Sequence, residues 1–307
     1  MKRVSILGIL IAVGSVSIAV KASQQPPPQP SADNITVEKV KDNLFVLRGG
    51  GGNTAVFVQS KGVTVVDTKN PGWGQPLLDK IKTLTDKPVT TVINTHLHFD
   101  HVSGNVAMPA AAEIVAHANN AKNIASPNRV VGFPGDSPNV FKENPGKGIP
   151  KRTFTDKLTL GSGADQVNLY YFGPAHTGGD AFVEFPAHRV MHAGDVFPSK
   201  GLPIMDKNNG GSGVEYANTV RNAVKGIPNV DIVINGHTAA NSTLNDMSQF
   251  ADYVADFIAH VQAGKKAGKT AEQVAKEWSV PAKYTGFNSA PPDRVTAYVN
   301  VIFGETK

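Results

Sequence analysis

Apolar residues in this chain gather into runs of four to six, set apart by glycine- and serine-bearing breaks, a pattern of short strands rather than long helices. Leu44–Leu47, Ala55–Val58 and Val63–Val66 form an opening meander, with turns at Gly49–Asn53 and Ser60–Gly62. Helical spacing first appears at Pro76–Leu84, where Leu77, Leu78 and Ile81 share a face, and it leads into a strand over Val89–Ile93. The strand, helix, strand order repeats around Ala118–Ile124. Further strands are expected at Val167–Phe172, Phe182–Met191 and Val230–Ile234, and helices at Asn245–Ala263, Ala271–Trp278 and Arg294–Phe303. Alternating strands and helices predict an α/β fold, with the last helices forming a covering layer rather than a separate domain.

Two stretches break the pattern. Ser126–Lys151 holds five prolines and four glycines with few apolar anchors, so it reads as a long surface loop of the kind that covers or binds a ligand. Pro198–Gly213 is the second, and its place soon after Asp195 makes it the other expected wall of a pocket.

The N-terminus has its own pattern: Lys2-Arg3, an apolar stretch Val4–Val20, then Val20-Lys21-Ala22. This reads as a secretory signal over residues 1–22, which places the mature protein in the periplasm or outside the cell. An uncleaved anchor is the other reading of the stretch, which falls at the short end of membrane-spanning lengths. Residues 23–34, rich in Pro and Gln, are expected to be an extended tether, and residues 35–307 one domain. Once the signal is removed, no stable membrane insertion is expected. The chain has no cysteine, which excludes disulfides, thiolate metal ligands and a lipid-bearing cysteine. Loss of Lys2, Arg3 and Lys21 takes the formal charge from +5 to about +2, no footprint for nucleic acid.

The chemistry is concentrated in Thr95-His96-Leu97-His98-Phe99-Asp100-His101, which packs three imidazoles and a carboxylate into six positions directly after a strand. Few uses exist for such a cluster other than holding metal. His176, Asp195 and His237 each follow another strand-like run, so four strand ends can deliver donors to one sheet edge. Seven donors are too many for one ion, because a catalytic zinc takes three protein ligands and keeps a position open. His117 and His192 read as hydrogen-bonded structural residues, His188 as part of a hairpin turn and His260 as a helix-surface residue.

The order His-x-His-x-Asp-His, then His, Asp and Gly-His, with Gly49–Asn53, Val65-Val66-Asp67-Thr68 and Gly173–Asp180 around it, resembles the metallo-β-lactamase superfamily over nearly all of the mature chain. The resemblance implies a four-layer αββα sandwich, two zinc ions per chain and hydrolysis by metal-bound hydroxide. It implies that His96, His98 and His176 hold one ion and Asp100, His101 and His237 the other, with Asp195 bridging. Iron or manganese are substitutes that an oxygen ligand at Asp195 allows. Asp100 has a second expected role as proton carrier to the leaving atom. Asp67, Thr95 and Asp180 are candidates for the groups that orient the ligands.

The resemblance also narrows the substrate. Two of the true β-lactamase groups place a cysteine where Asp195 stands, followed three residues on by a lysine that grips the substrate carboxylate, and here that position is Pro198. The expected function is hydrolysis of a small acyl substrate (ester, lactone or thioester), with a true or promiscuous β-lactamase and a non-catalytic periplasmic zinc-binding protein as the alternatives. Oligomeric state has no signature in the sequence. The export reading has a direct check: mass spectrometry of the mature protein should find its N-terminus at or near Ser23, whereas intact Met1 in the membrane fraction would favour the anchor.

Overall fold

The computed structural model describes residues 29–306. The expected signal and most of the expected tether lie outside them. A first sheet of seven strands runs in chain order: β1 (Thr36–Lys41), β2 (Leu44–Arg48), β3 (Thr54–Val58), β4 (Val63–Val66), β5 (Val89–Asn94), β6 (Glu113–His117) and β7 (Arg152–Phe154). The second sheet has five strands, β8 (Lys157–Leu160), β9 (Val167–Tyr170), β10 (Phe182–Phe185), β11 (Val190–Gly194) and β12 (Ile232–Asn235), in the order β12-β11-β10-β9-β8. Besides short 3-10 turns, the described residues form eight α-helices: α1 (Gly74–Lys82), α2 (Phe99–Val102), α3 (Ala118–Asn123), α4 (Val140–Glu143), α5 (Tyr216–Gly226), α6 (Leu244–Lys266), α7 (Ala271–Glu277) and α8 (Pro292–Glu305).

Strand alternation explains the layers. On β2, β3 and β5 the residues Val46, Phe57 and Ile93 turn inward and meet Leu169, Val183, Phe185 and Ile234 of the second sheet. Their neighbours Leu47, Val56 and Val92 turn outward and are covered by Trp73, Leu77 and Ile81 at α1. The outer face of the second sheet, with Phe182, Met191 and Val233, is covered by Tyr216 and Val220 of α5, Phe250 and Phe257 of α6, and Val299 of α8. Both faces of the central strands of each sheet are therefore buried, which is why those strands read as continuous apolar runs. The result is an αββα sandwich.

Chain direction places the functional edge. β4 and β5 are parallel, so their C-terminal ends emerge together. β9 and β11 both run antiparallel to β10, and β12 is parallel to β11, so these three also end on one side. Residues 67, 95–101, 171–181, 195 and 236–237 follow those ends.

Several expectations need correction. The run Phe182–Met191 is two strands, because Pro186 lacks an N–H for the ladder and a 3-10 turn over Pro186–His188 closes at Arg189 with φ 55°. Tyr170 ends β9 two residues short of the expected Phe172. Where the expected tether ends, Ala32–Asn34 form a 3-10 turn capped by Ser31, with the Asn34 carbonyl against Gly49. β1 is an edge strand whose Glu38, Lys39 and Lys41 conceal its alternation, and α5 hides its buried face in Ala217, Thr219 and Ala223. His260 is half-buried rather than on the surface, and its Nε2 reaches the Val274 carbonyl at 2.9 Å, tying α6 to α7. His117 and His192 are buried and hydrogen-bonded through both ring nitrogens, as structural residues should be. No helix among the described residues is long and apolar enough to cross a membrane.

Candidate metal centre

All seven donors expected from the sequence converge at this edge. β5 delivers Thr95 and His96, the chain stays extended through His98, and the single turn of α2 then raises Asp100 and His101. His96, His98, His101 and His176 are buried, Asp195 is 5% exposed, and Asp100 and His237, at 22% and 37% side-chain exposure, face the cleft. Two groups of donors emerge, each with its atoms within 4.8 Å of one another: His96, His98 and His176, and Asp100, His101 and His237. Asp195 lies between them. Its Oδ1 is 3.3 Å from His101 Nε2, and its Oδ2 is 3.1 Å from His237 Nε2 and 3.9 Å from His176 Nε2. Asp67, His96 and His101 form a third such group, but the Asp67 carboxylate is already engaged from behind.

The outer partner of each imidazole decides which nitrogen faces inward. Asp67, fully buried, accepts hydrogen bonds from Thr95 N (2.8 Å), Thr95 Oγ1 (2.7 Å) and His101 Nδ1 (2.7 Å). Because the Thr95 hydroxyl donates to Asp67, it accepts from His96 Nδ1 at 3.0 Å. His176 Nδ1 donates to the Ile204 carbonyl at 3.0 Å. His98 is turned the other way, with Nε2 donating to Asp206 at 2.8 Å. His96, His101 and His176 thus offer Nε2 to the centre, while His98 offers Nδ1. Three observations fit a metal at this place. His96 Nε2 and Asp195 Oδ1 are buried without a hydrogen-bond partner, and the free nitrogens of His98 and His176 stand 2.9 Å apart, a contact between acceptors that a shared cation would relieve.

Electrostatics agree. Burial, followed by the neighbouring His101 and His176, holds His96 well below the usual imidazole range, and burial with His98 beside it brings His176 to about 4. Both imidazoles are neutral at pH 7, as metal binding requires. Burial alone would raise Asp195, yet His237 and His101 hold it well below the usual carboxylate range.

Close approach of backbone accounts for two glycines. A Cβ on Gly52 would fall 2.1 Å from His101 Cε1, and one on Gly236 would fall 1.8 Å from Asp195 Oδ1. Gly52 is also held from below: buried Lys69 donates from Nζ to the carbonyls of Gly52 and Leu47, each at 2.7 Å. Burial lowers Lys69 to about 7. Asp67 and Lys69 have φ of 64° and 77°, left-handed conformations that hold this turn under the centre.

Of the three orienting candidates, Asp67 and Thr95 touch candidate ligands, His101 and His96. Asp180 does not. Its carboxylate accepts from Thr177 N at 3.0 and 2.9 Å and from Thr177 Oγ1 at 2.6 Å, closing the turn that follows His176. Asp206 is the orienting residue that sequence reasoning missed. Its carboxylate takes His98 Nε2, Asn209 Nδ2 (2.6 Å) and Val131 N (3.3 Å), joining a candidate ligand to both irregular loops. Asn209 continues the link to Asn128 through both its amide groups.

Those loops form the walls of a cleft of about 490 Å³ over the donors. Val130, Phe133 and Pro138 stand on one side, and Pro198, Leu202 and Ile204 on the other. The second half of Ser126–Lys151 is anchored instead, with Phe141 of α4 packed on Leu97, Val102 and Ile124. Lys200 is not in the cleft, since its Nζ pairs with Asp246 at 2.7 Å.

A sequence model of the metallo-beta-lactamase superfamily matches residues 47–247, the span from β2 into α6 that carries every one of these donors. The chain belongs to that superfamily. Its homologues there are metal-dependent hydrolases, and this chain is a hydrolase of the same kind. It is 28% identical over 241 residues to the protein named metallo-beta-lactamase type 2 of Elizabethkingia meningoseptica, a match covering 70% of this chain and 86% of that protein. Among solved structures, a metallo-beta-lactamase from Pontibacter korlensis aligns with TM-score 0.58 at 18% identity, over 72% of this chain and 99% of the other. The sec-alkylsulfatase Pisa1 from Pseudomonas sp. aligns with TM-score 0.69 at 13% identity, over 88% of this chain and 50% of the other. At those identities both structures attest the fold alone.

The link through Asp206 has a measurable consequence. Asp206→Ala should lower zinc affinity by about 10–100-fold, read by competition with a chromophoric chelator, because His98 loses the acceptor that fixes its ring. An unchanged affinity would show that packing alone orients His98.

Proposed function

We propose that the chain is an exported dinuclear zinc hydrolase acting on a small acyl substrate, an ester, lactone or thioester. The observation that carries this reading is the Asp195 carboxylate between the two donor groups, with Pro198 where a lysine would meet a lactam carboxylate and Lys200 tied to Asp246. His96, His98 and His176 would hold one ion and Asp100, His101 and His237 the other, with Asp195 shared. Bound there, two divalent ions would supply a Lewis acid for the acyl oxygen and bring the pKa of a water to about 7.

The chain's own residues supply the rest. Asp100 faces the cleft with its Oδ2 3.3 Å from His237 Nε2, the carboxylate placed to take a proton from the attacking water and pass it to the leaving oxygen or sulfur. Buried Asp67 and Asp206 hold His101 and His98 in place while charge develops in front of them. The apolar walls exclude water around the acyl group and favour a substrate with an apolar body. Residues 1–22 have the make-up of a cleaved export signal, the basis for placing the enzyme in the periplasm or outside the cell.

A second reading, β-lactam hydrolysis, is favoured by the printed name of the Elizabethkingia relative. The two separate in the cleft. The lysine contact that other groups use would be a charge-assisted hydrogen bond, worth about 1.5–3 kcal/mol, and its absence costs a lactam more than a lactone. Purified zinc-loaded protein should therefore show higher kcat/KM for acyl lactones, esters or thioesters than for penicillin, cephalosporin or carbapenem substrates, with activity abolished by chelator and restored by zinc. A lactam value above all the others would establish the second reading. No turnover of either class would return the chain to a zinc-binding role.

A further inference from the structure

Arg294 lines the same cleft as the donors, and it is the single Arg or Lys among the lining residues. It stands in the first turn of α8, half-buried, against the Phe133 wall. Its guanidinium carbon lies 5.1 Å from the centroid of the Phe133 ring. Its stem packs beside Gly132, where a Cβ would come within 3.2 Å of Arg294 Cγ. The head is thus held on an aromatic face and the stem against backbone, a preorganised arrangement for a flat cation.

What this cation lacks is an anion. Arg48, Arg152, Arg189 and Arg221 each hold a carboxylate, with Glu38, Glu113, Asp231 and Asp252 as partners. Arg294 forms no ion pair among the described residues, although Asp136 lines the same cleft and Asp293 is its neighbour in the chain. Phe133, its partner, is one of two exposed large apolar side chains among the described residues, at 39% exposure. A guanidinium fork and an open aromatic face beside an apolar wall match a ligand that ends in an oxyanion and is apolar before it.

We propose that Arg294 is a specificity-determining residue and that the substrate is an acyl compound whose far end carries a carboxylate. This rests on the acyl-hydrolase reading above. The reacting carbonyl lies over Asp195, the apolar middle runs between Leu202 and Phe133, and the terminal carboxylate meets Arg294. A monoanion is favoured over a phosphate dianion because a single guanidinium faces a cleft that also contains Asp100, Asp136 and Asp195. The anion contact replaces, from the opposite wall, the lysine that Pro198 removes.

The test compares thioesters of equal length that end in methyl, carboxylate or phosphate, on zinc-loaded wild type, Arg294→Met and Arg294→Lys. Wild type should show a KM for the carboxylate-ended thioester at least tenfold below that for the methyl-ended one, with the phosphate-ended compound between them. In Arg294→Met the ratio should collapse to about one, and Arg294→Lys should restore part of it. Unaltered zinc content and circular dichroism would confirm that each variant is folded. No preference in wild type, or a preference that survives in Arg294→Met, overturns the proposal, and a phosphate-ended compound that outperforms the carboxylate reassigns the anion. If no thioester is turned over, the thioester branch of the acyl-hydrolase reading fails by itself, and calorimetry with hexanoate decides the fate of Arg294. Binding at least tenfold tighter to wild type than to Arg294→Met supports the anion site, and equal binding removes it.

Discussion

The arrangement depends on one constraint: a set of hydrogen bonds behind four of the five imidazoles that leaves each of those rings a single nitrogen to offer. Asp67 holds His101 directly and His96 through the Thr95 hydroxyl, while Asp206 holds His98 and the Ile204 carbonyl holds His176. Each acceptor is buried or belongs to backbone, so the proton on the outer nitrogen has no competing water. The inner nitrogens of His96 and His176 are consequently free and, with both rings held below the usual imidazole range, unprotonated, and His176 Nε2 stands 2.9 Å from His98 Nδ1.

The sandwich is the means of bringing these groups together. Five strands end at one edge, so short loops suffice to place donors from residues 96 to 237 around Asp195. Backbone then approaches closely enough that Gly52 and Gly236 cannot carry a side chain. The loops above have a different task. Asp206 and Asn209 stitch residues 128–131 to the chain after Asp195, so the cleft walls and the His98 ring share one buried carboxylate.

Most of the centre was legible in the sequence because its donors are chemically rare types placed directly after apolar runs. His96, His98, Asp100 and His101 announce themselves by spacing, and His176, Asp195 and His237 by their position past strands. Asp206 was not legible. It sits within an irregular stretch, 108 residues from its partner His98, and only the folded chain brings the two together. Asp180 misled for the converse reason, since its neighbour His176 is close in sequence while its carboxylate spends its bonds on Thr177. Lys69 gave no sign either, because burial of a lysine is decided by the carbonyls of Leu47 and Gly52 rather than by local pattern. Among the elements, β1 and α5 escaped where charged residues at an edge and small residues on a buried face blur the period.

The most direct test of this account is anomalous diffraction at the zinc edge from crystals of the zinc-loaded protein. It should show two peaks roughly 3.5–4 Å apart on either side of the Asp195 carboxylate. One should be bound by His96 Nε2, His176 Nε2 and, alone in using its other nitrogen, His98 Nδ1. The second should be bound by His101 Nε2, His237 Nε2 and Asp100. A single peak, or His98 coordinating through Nε2 with Asp206 displaced, would contradict the claim that the buried hydrogen bonds set the centre.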